Sequence, residues 1–128
     1  MTGPIIAGWR KRILVADDAA SGRELLRSIL EACDYDIEEA EDGEQVLASI
    51  GAFGPDLVIL GLSLPKMDGY ATAAALRQMP GLARLPILAL TAAITQTAPD
   101  KLAEAGFSAF LVKPVGPARL RKCVASLL

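Results

Sequence analysis

Histidine is absent from this chain, cysteine occurs twice, tryptophan once, and aromatic residues make up only 5% of its 128 positions. Without imidazole there is no His-based triad, no imidazole general base and no mixed Cys–His zinc site. Two distant cysteines, Cys33 and Cys123, do not make a four-ligand centre. An excess of basic charge is missing as well, with 13 Lys plus Arg against 15 Asp plus Glu. The one basic cluster, Arg10 to Arg12, is short, so no direct contact with nucleic acid is expected. No apolar run reaches the length of a membrane span; the longest, Leu57 to Leu64, already contains Gly61 and Ser63. Met1 to Trp9 places its basic residues after the apolar ones, the reverse of a secretory leader. The expected location is cytoplasmic, with both cysteines reduced and packed as small core hydrophobes on helices.

Apolar residues make up 52% of the chain and charged ones 22%, enough to build the core of one domain. That domain is expected over 11–128, behind a loose tail at 1–10. Ile13 to Ala16 form a continuous apolar run, followed by Leu25, Leu26, Ile29, Leu30 and Cys33 at helical spacing. Ser21 and Glu24 have the spacing of a capping box, which predicts a helix start near Ala20 or Ser21. Tyr35 to Ala40 alternates loosely and reads as an edge strand, and Val46, Leu47 and Ile50 mark a short helix. Leu57 to Leu60 begin a third unit, whose helix runs to about Met79. Ile87 to Leu90 lead to a helix at Pro99 to Ala105 that stops at Gly106. Phe107 to Val112 precede a last helix carrying Leu120, Cys123, Val124 and Leu127. Five βα units with strands this apolar imply an α/β, doubly wound parallel sheet covered on both faces.

In such sheets ligands bind beyond the C-terminal ends of the strands. Those ends carry Asp17 and Asp18, Gly61, Thr91 and Lys113. Adjacent carboxylates suit a hard cation such as Mg²⁺, and a hydroxyl with an ammonium opposite suits phosphoryl oxygens. The plainer reading of the acidic pair is polar residues favoured at a helix N-terminus, and Thr91 also reads as a simple cap.

The run Ile13-Leu14-Val15-Ala16-Asp17-Asp18, then Asp56-Leu57-Val58-Ile59-Leu60, Leu64-Pro65-Lys66-Met67-Asp68-Gly69, Leu90-Thr91-Ala92 and Phe110-Leu111-Val112-Lys113-Pro114 resembles the receiver domain of two-component response regulators. The resemblance covers nearly the whole chain. It implies the flavodoxin-like (βα)5 fold with strand order 2-1-3-4-5, an order the chemotaxis member of the family exemplifies. It further implies Asp17, Asp18 and the Ser63 backbone carbonyl as Mg²⁺ ligands, Thr91 as a switch hydroxyl, Phe110 as a switch aromatic and Lys113 as the phosphate-facing cation. In the family the bond matching Lys113-Pro114 is usually cis. Phe110 stays open between switch aromatic and plain core residue, with small Ala92 and Ala93 leaving room for movement.

One position departs from the pattern. Where a receiver carries the Asp that takes a phosphoryl group, this chain has Gly61, and without an attacking oxygen there is no covalent step. Asp56 lies five residues back, roughly 16 Å along the strand, and Ser63 is an unactivated hydroxyl. No catalytic residue is therefore expected, and the chain is not expected to be an enzyme. With one carboxylate fewer, Mg²⁺ binding should be weak or absent, and Lys113 is free to pair with Asp17 or Asp18. The expectation is a degenerate pseudo-receiver working by phosphorylation-independent protein contacts. Its implied partners are a histidine kinase, a phosphotransfer protein or an attached output domain, with a homodimer open. The alternative is a normally phosphorylatable, Mg²⁺-dependent receiver whose acceptor has been substituted. A flavin-binding domain fits poorly, because Asp17 and Asp18 put negative charge where an anion should sit.

Overall fold

The computed structural model describes residues 10–92 and 99–128. The expected tail up to residue 9, with Trp9, and Ala93 lie outside the described residues. The order is β1 (Arg12–Ala16), α1 (Ala20–Glu31), β2 (Asp36–Ala40), α2 (Gly43–Phe53), β3 (Leu57–Gly61), α3 (Gly69–Gln78), β4 (Ile87–Thr91), α4 (Pro99–Ala105), β5 (Ala109–Val112) and α5 (Pro117–Leu127). All five strands are parallel in the order β2-β1-β3-β4-β5, a flavodoxin-like sheet with β2 at one edge.

Strand alternation divides the apolar residues between two layers. Leu14, Val58, Leu60, Ile87 and Ala89 pack under α2, α3 and α4 with Val46, Ile50, Leu76 and Leu102. Ile13, Val15, Leu57, Ile59, Leu88 and Leu90 pack under α1 and α5 with Leu26, Leu30, Leu120 and Val124. Both faces of the central strands are thus dry, which is why their sequences are continuously apolar. β2 has only one neighbour, and its more polar sequence follows from that.

Four local expectations are corrected. Ser21 and Glu24 form no capping box: Ser21 lies inside α1, whose N-cap is Ala19 without a side-chain bond. The Ala19 N–H instead donates to Asp17 Oδ1 at 3.1 Å. Leu25 points outward and is 57% exposed, because α1 buries the narrower stripe of Arg23, Leu26 and Leu30. The last strand starts at Ala109, and Phe107 fills the core from the preceding turn. The cysteines are only half-buried, and Cys33 lies just beyond the end of α1.

Two glycines let the β3–α3 turn close on its neighbours. A Cβ on Gly69 would stand 2.5 Å from the Gly61 carbonyl oxygen, and one on Gly43 would run into Thr72 Oγ1 and the Met67 carbonyl. At the other end of α3, Arg77 reaches across to α4. Its Nε and Nη2 donate to the Gly106 carbonyl at 3.1 and 2.6 Å, and its Nη1 donates to the Leu82 carbonyl at 2.8 Å.

Candidate functional site

Strand register decides which side chains meet. Ala16 pairs with Leu60, Gly61 with Leu90 and Thr91 with Val112, so the residues at or just beyond four strand ends share one rim of the sheet. There they line a cleft of about 390 Å³ whose walls include Asp17, Asp18, Gly61, Ser63, Thr91 and Lys113, with Asp68 and Tyr70 from the start of α3. Phe110 is not among them. It is half-buried, packs against the core layer under α4, and lines a separate groove with Leu102 and Phe107. Asp56 sits at the opposite end of the sheet, where its Oδ2 accepts the Arg12 N–H at 2.8 Å.

Within the cleft the acidic pair is unequal. Asp17 is 2% exposed, whereas Asp18 faces solvent. Lys113 Nζ donates to Asp17 Oδ2 at 2.9 Å, and the Ala19 N–H holds the other oxygen. Burial pushes the Asp17 carboxyl up, but the bonds from Lys113 and Ala19, with the Asp18 carboxyl alongside, more than offset this. Asp17 is therefore held below the usual carboxylate range as an ion. Lys113 is placed by its own backbone, whose N–H donates to the Thr91 carbonyl at 2.8 Å, and the bond to Pro114 is cis. Thr91 itself is 5% exposed.

Gly61 is buried at the end of β3, and its backbone is not in the left-handed region. A Cβ added to it would meet the Ala16 carbonyl oxygen at 3.5 Å, Asp17 Cα at 3.8 Å and Leu64 Cδ2 at 3.9 Å, all ordinary contacts. The cleft has room for a side chain there.

Sequence reasoning passed over Arg23. Its guanidinium is almost buried, donates through Nη1 to the Asp17 carbonyl oxygen at 2.7 Å, and pairs with Glu39 at 3.2 Å and Glu41 at 3.5 Å. It thereby fixes the main chain that carries the acidic pair. The signal was present: Arg23 stands on the same stripe as Leu26 and Leu30, a charge where an apolar residue belongs. Tyr70 joins the cleft to α4, with its ring at right angles to Phe107 and Lys101 Nζ 5.1 Å from its centre.

The oxygen donors of Asp17, Asp18 and the β3–α3 turn suit a hard cation in kind. In number they are few, for among the described residues no group of three His, Cys, Asp or Glu side chains converges to hold a metal ion.

Residues 13–125 match the response regulator receiver domain as a family. The chain belongs to that family. It is 38% identical over 120 residues to the alkaline phosphatase synthesis transcriptional regulatory protein PhoP of Bacillus subtilis, covering 92% of this chain and 48% of PhoP. The chain thus spans about half the length of that relative. Among solved structures it resembles the chemotaxis protein CheY4 of Vibrio cholerae, with a TM-score of 0.86, 30% identity, and coverage of 93% of this chain and 99% of that one. It also resembles the receiver domain of the sensor histidine kinase PA1611 from Pseudomonas aeruginosa, which holds a magnesium ion in its active-site cleft; here the TM-score is 0.85 at 26% identity, over 92% and 97% of the two chains. The receiver is thus a module of two-component signalling, a system in which receivers bind Mg²⁺ and work with histidine kinases and attached output domains. No described helix is long and apolar enough to cross a membrane.

Proposed function

We propose that this receiver is a pseudo-receiver, which takes no phosphoryl group and signals through protein contacts alone. The observation that carries the reading is that Gly61 ends β3 on the wall of the cleft; by the resemblance of the sequence to receivers, we take this as the place of the acceptor Asp. A hydrogen in that place offers nothing to attack phosphorus, and Lys113 and Thr91 cannot supply the missing nucleophile. Two further features support the reading. Lys113 spends its charge on Asp17 at 2.9 Å, and the cleft keeps two carboxylates at the strand end, so its hold on Mg²⁺ is weak. On this reading the chain is not an enzyme. It acts in the cytoplasm, and Asp17, Asp18 and the Ser63 carbonyl are vestigial metal ligands. Thr91 and Phe110 keep one switch position, and the partner is a histidine kinase, a phosphotransfer protein, an attached output domain or a second copy of the chain.

The clash-free fit of a Cβ at Gly61 also suits the second reading, a phosphorylatable receiver that has had its acceptor Asp substituted. Intact-protein mass spectrometry after incubation with a small phosphodonor and Mg²⁺ tests the proposal on this chain and on Gly61→Asp. The expected result is no mass change for this chain and one added phosphoryl group for the variant. Addition to this chain itself would overturn the proposal, and Ser63 would be mapped first.

A further inference from the structure

We infer that residues 1–9 of this chain dock in a groove between α1 and the turn leading into α5, and so cover the outward face of α1. The groove has a volume of about 460 Å³ and is lined by Leu25, Leu26 and Ile29 of α1, by Leu90, and by Pro114 and Val115. Among the described residues, the exposed large apolar side chains are Leu25 and Val112, at 57% and 39%, and Leu25 stands in this groove. Covering it takes an apolar occupant. The charged residues of the lining, Asp17 and Lys113, are paired with each other at 2.9 Å, so a charged occupant gains little there.

Residues 1–9 have that chemistry: they carry no charged side chain and include Ile5, Ile6 and Trp9. Their point of attachment fits as well. α1 ends at Glu31, and Asp36, five residues on, lies beside Arg12, where β1 begins. The chain therefore enters the sheet at the edge toward which α1 runs, and Ile29, in the last turn of α1, marks the near end of the groove. Length is sufficient. Nine extended residues reach roughly 30 Å, and the 12 residues of α1 rise about 18 Å. From Arg10 the segment can run the whole groove, with Trp9 near Ile29 and the two isoleucines further along α1. Being tethered, it meets the groove at a high effective concentration. Residues 1–9 and any protein that meets the outward face of α1 exclude each other, which makes the segment a built-in inhibitor of that contact whatever residue 61 contributes.

Trp9 is the one tryptophan of the chain, so its fluorescence reports on the segment directly. In the full chain at low concentration its emission is expected to be blue-shifted, and its quenching by acrylamide several-fold weaker, than in the urea-unfolded chain. Leu25→Lys, a change at an exposed position, is expected to move both readings to those of unfolded chain, while the urea midpoint followed by circular dichroism shows the fold intact. Val112→Thr, exposed but outside the groove, is expected to leave Trp9 as it is in the parent. A solvent-exposed Trp9 in the parent, or a buried one that ignores Leu25→Lys or answers both variants alike, would overturn the inference. So would a blue shift that vanishes on dilution, because the occupant would then be a second copy of the chain. A second measurement needs no substitution: nuclear Overhauser contacts from the Trp9 indole to the methyl groups of Leu25 or Ile29 are expected in the isotope-labelled parent, and their absence would equally overturn it.

Discussion

Gly61→Ala separates a glycine kept for its chemistry from one kept for its geometry. At Gly61 the backbone is one that any residue adopts, and the nearest atom to a new methyl group is the Ala16 carbonyl oxygen at 3.5 Å. Nothing has to shift, so the gain is the usual one for replacing glycine in a strand, about 0.5–1 kcal/mol, through a less floppy unfolded chain. At this length that corresponds to a rise of roughly 2–4 °C in Tm. Gly69→Ala is the matched control from the same turn. Its methyl would lie 2.5 Å from the Gly61 carbonyl oxygen and 2.8 Å from Leu62 Cα, both backbone atoms that do not yield cheaply. A loss of about 1–3 kcal/mol is expected there. Urea unfolding of the parent and the two variants reads both signs, with the m-value checking that each unfolds in the same way. A lower midpoint for Gly61→Ala, or equal tolerance at the two positions, would refute the claim that a side chain at residue 61 fits without a clash.

Glu39 sets an acid-side response. The bond from Arg27 at 2.6 Å lowers its pKa, burial opposes, and Arg23 adds to the lowering. Its folded-state value lies below the unfolded one, so its contribution is complete above the usual carboxylate range and is lost as pH falls through the folded-state value. Glu39→Gln is expected to flatten the acid limb of a stability profile measured by urea midpoint from pH 7 downward; an unchanged limb would remove Glu39 from the account. Arg77→Met strips three bonds from two carbonyl oxygens, and a loss of about 2 kcal/mol is expected in the same assay. A loss below half a kcal/mol would mean that water replaces the guanidinium at no cost.

Most of the architecture was legible because each strand of the sheet interior is apolar on both sides and each helix carries one stripe. Ile13 to Ala16 and Leu57 to Leu60 could be little else, and Gly106, at φ 105°, ends α4 where the sequence puts it. The errors fall where local pattern and tertiary packing disagree. Ser21 and Glu24 have capping spacing and the helix starts at Ala20 as that spacing predicts, but the N-cap is Ala19, whose N–H goes to Asp17, so no capping box forms. Leu25 keeps helical spacing yet lies beyond the face that the sheet covers. Of the cleft, the four strand-end positions followed from topology alone. The choice of Asp17 over Asp18 as the partner of Lys113 did not, because it depends on which carboxylate the β1–α1 turn buries. Arg23 was visible only as a charge on the apolar stripe of α1; that it bonds the Asp17 main-chain oxygen was not legible, because no side-chain motif announces such a contact.

Three guanidiniums, those of Arg23, Arg27 and Arg77, bind in two different ways. Arg23 and Arg27, next to the β2 edge, are held by the carboxylates of Glu31, Glu39 and Glu41. Arg77, joining α3 to α4, is held by neutral carbonyl oxygens. Mobile ions compete for the first kind of contact and barely touch the second. Ionic strength is therefore an asymmetric solvent variable for this molecule: added salt is expected to weaken the exposed contacts of Glu31 and Glu41 on the α1–β2 flank while α3 and α4 stay fastened to each other.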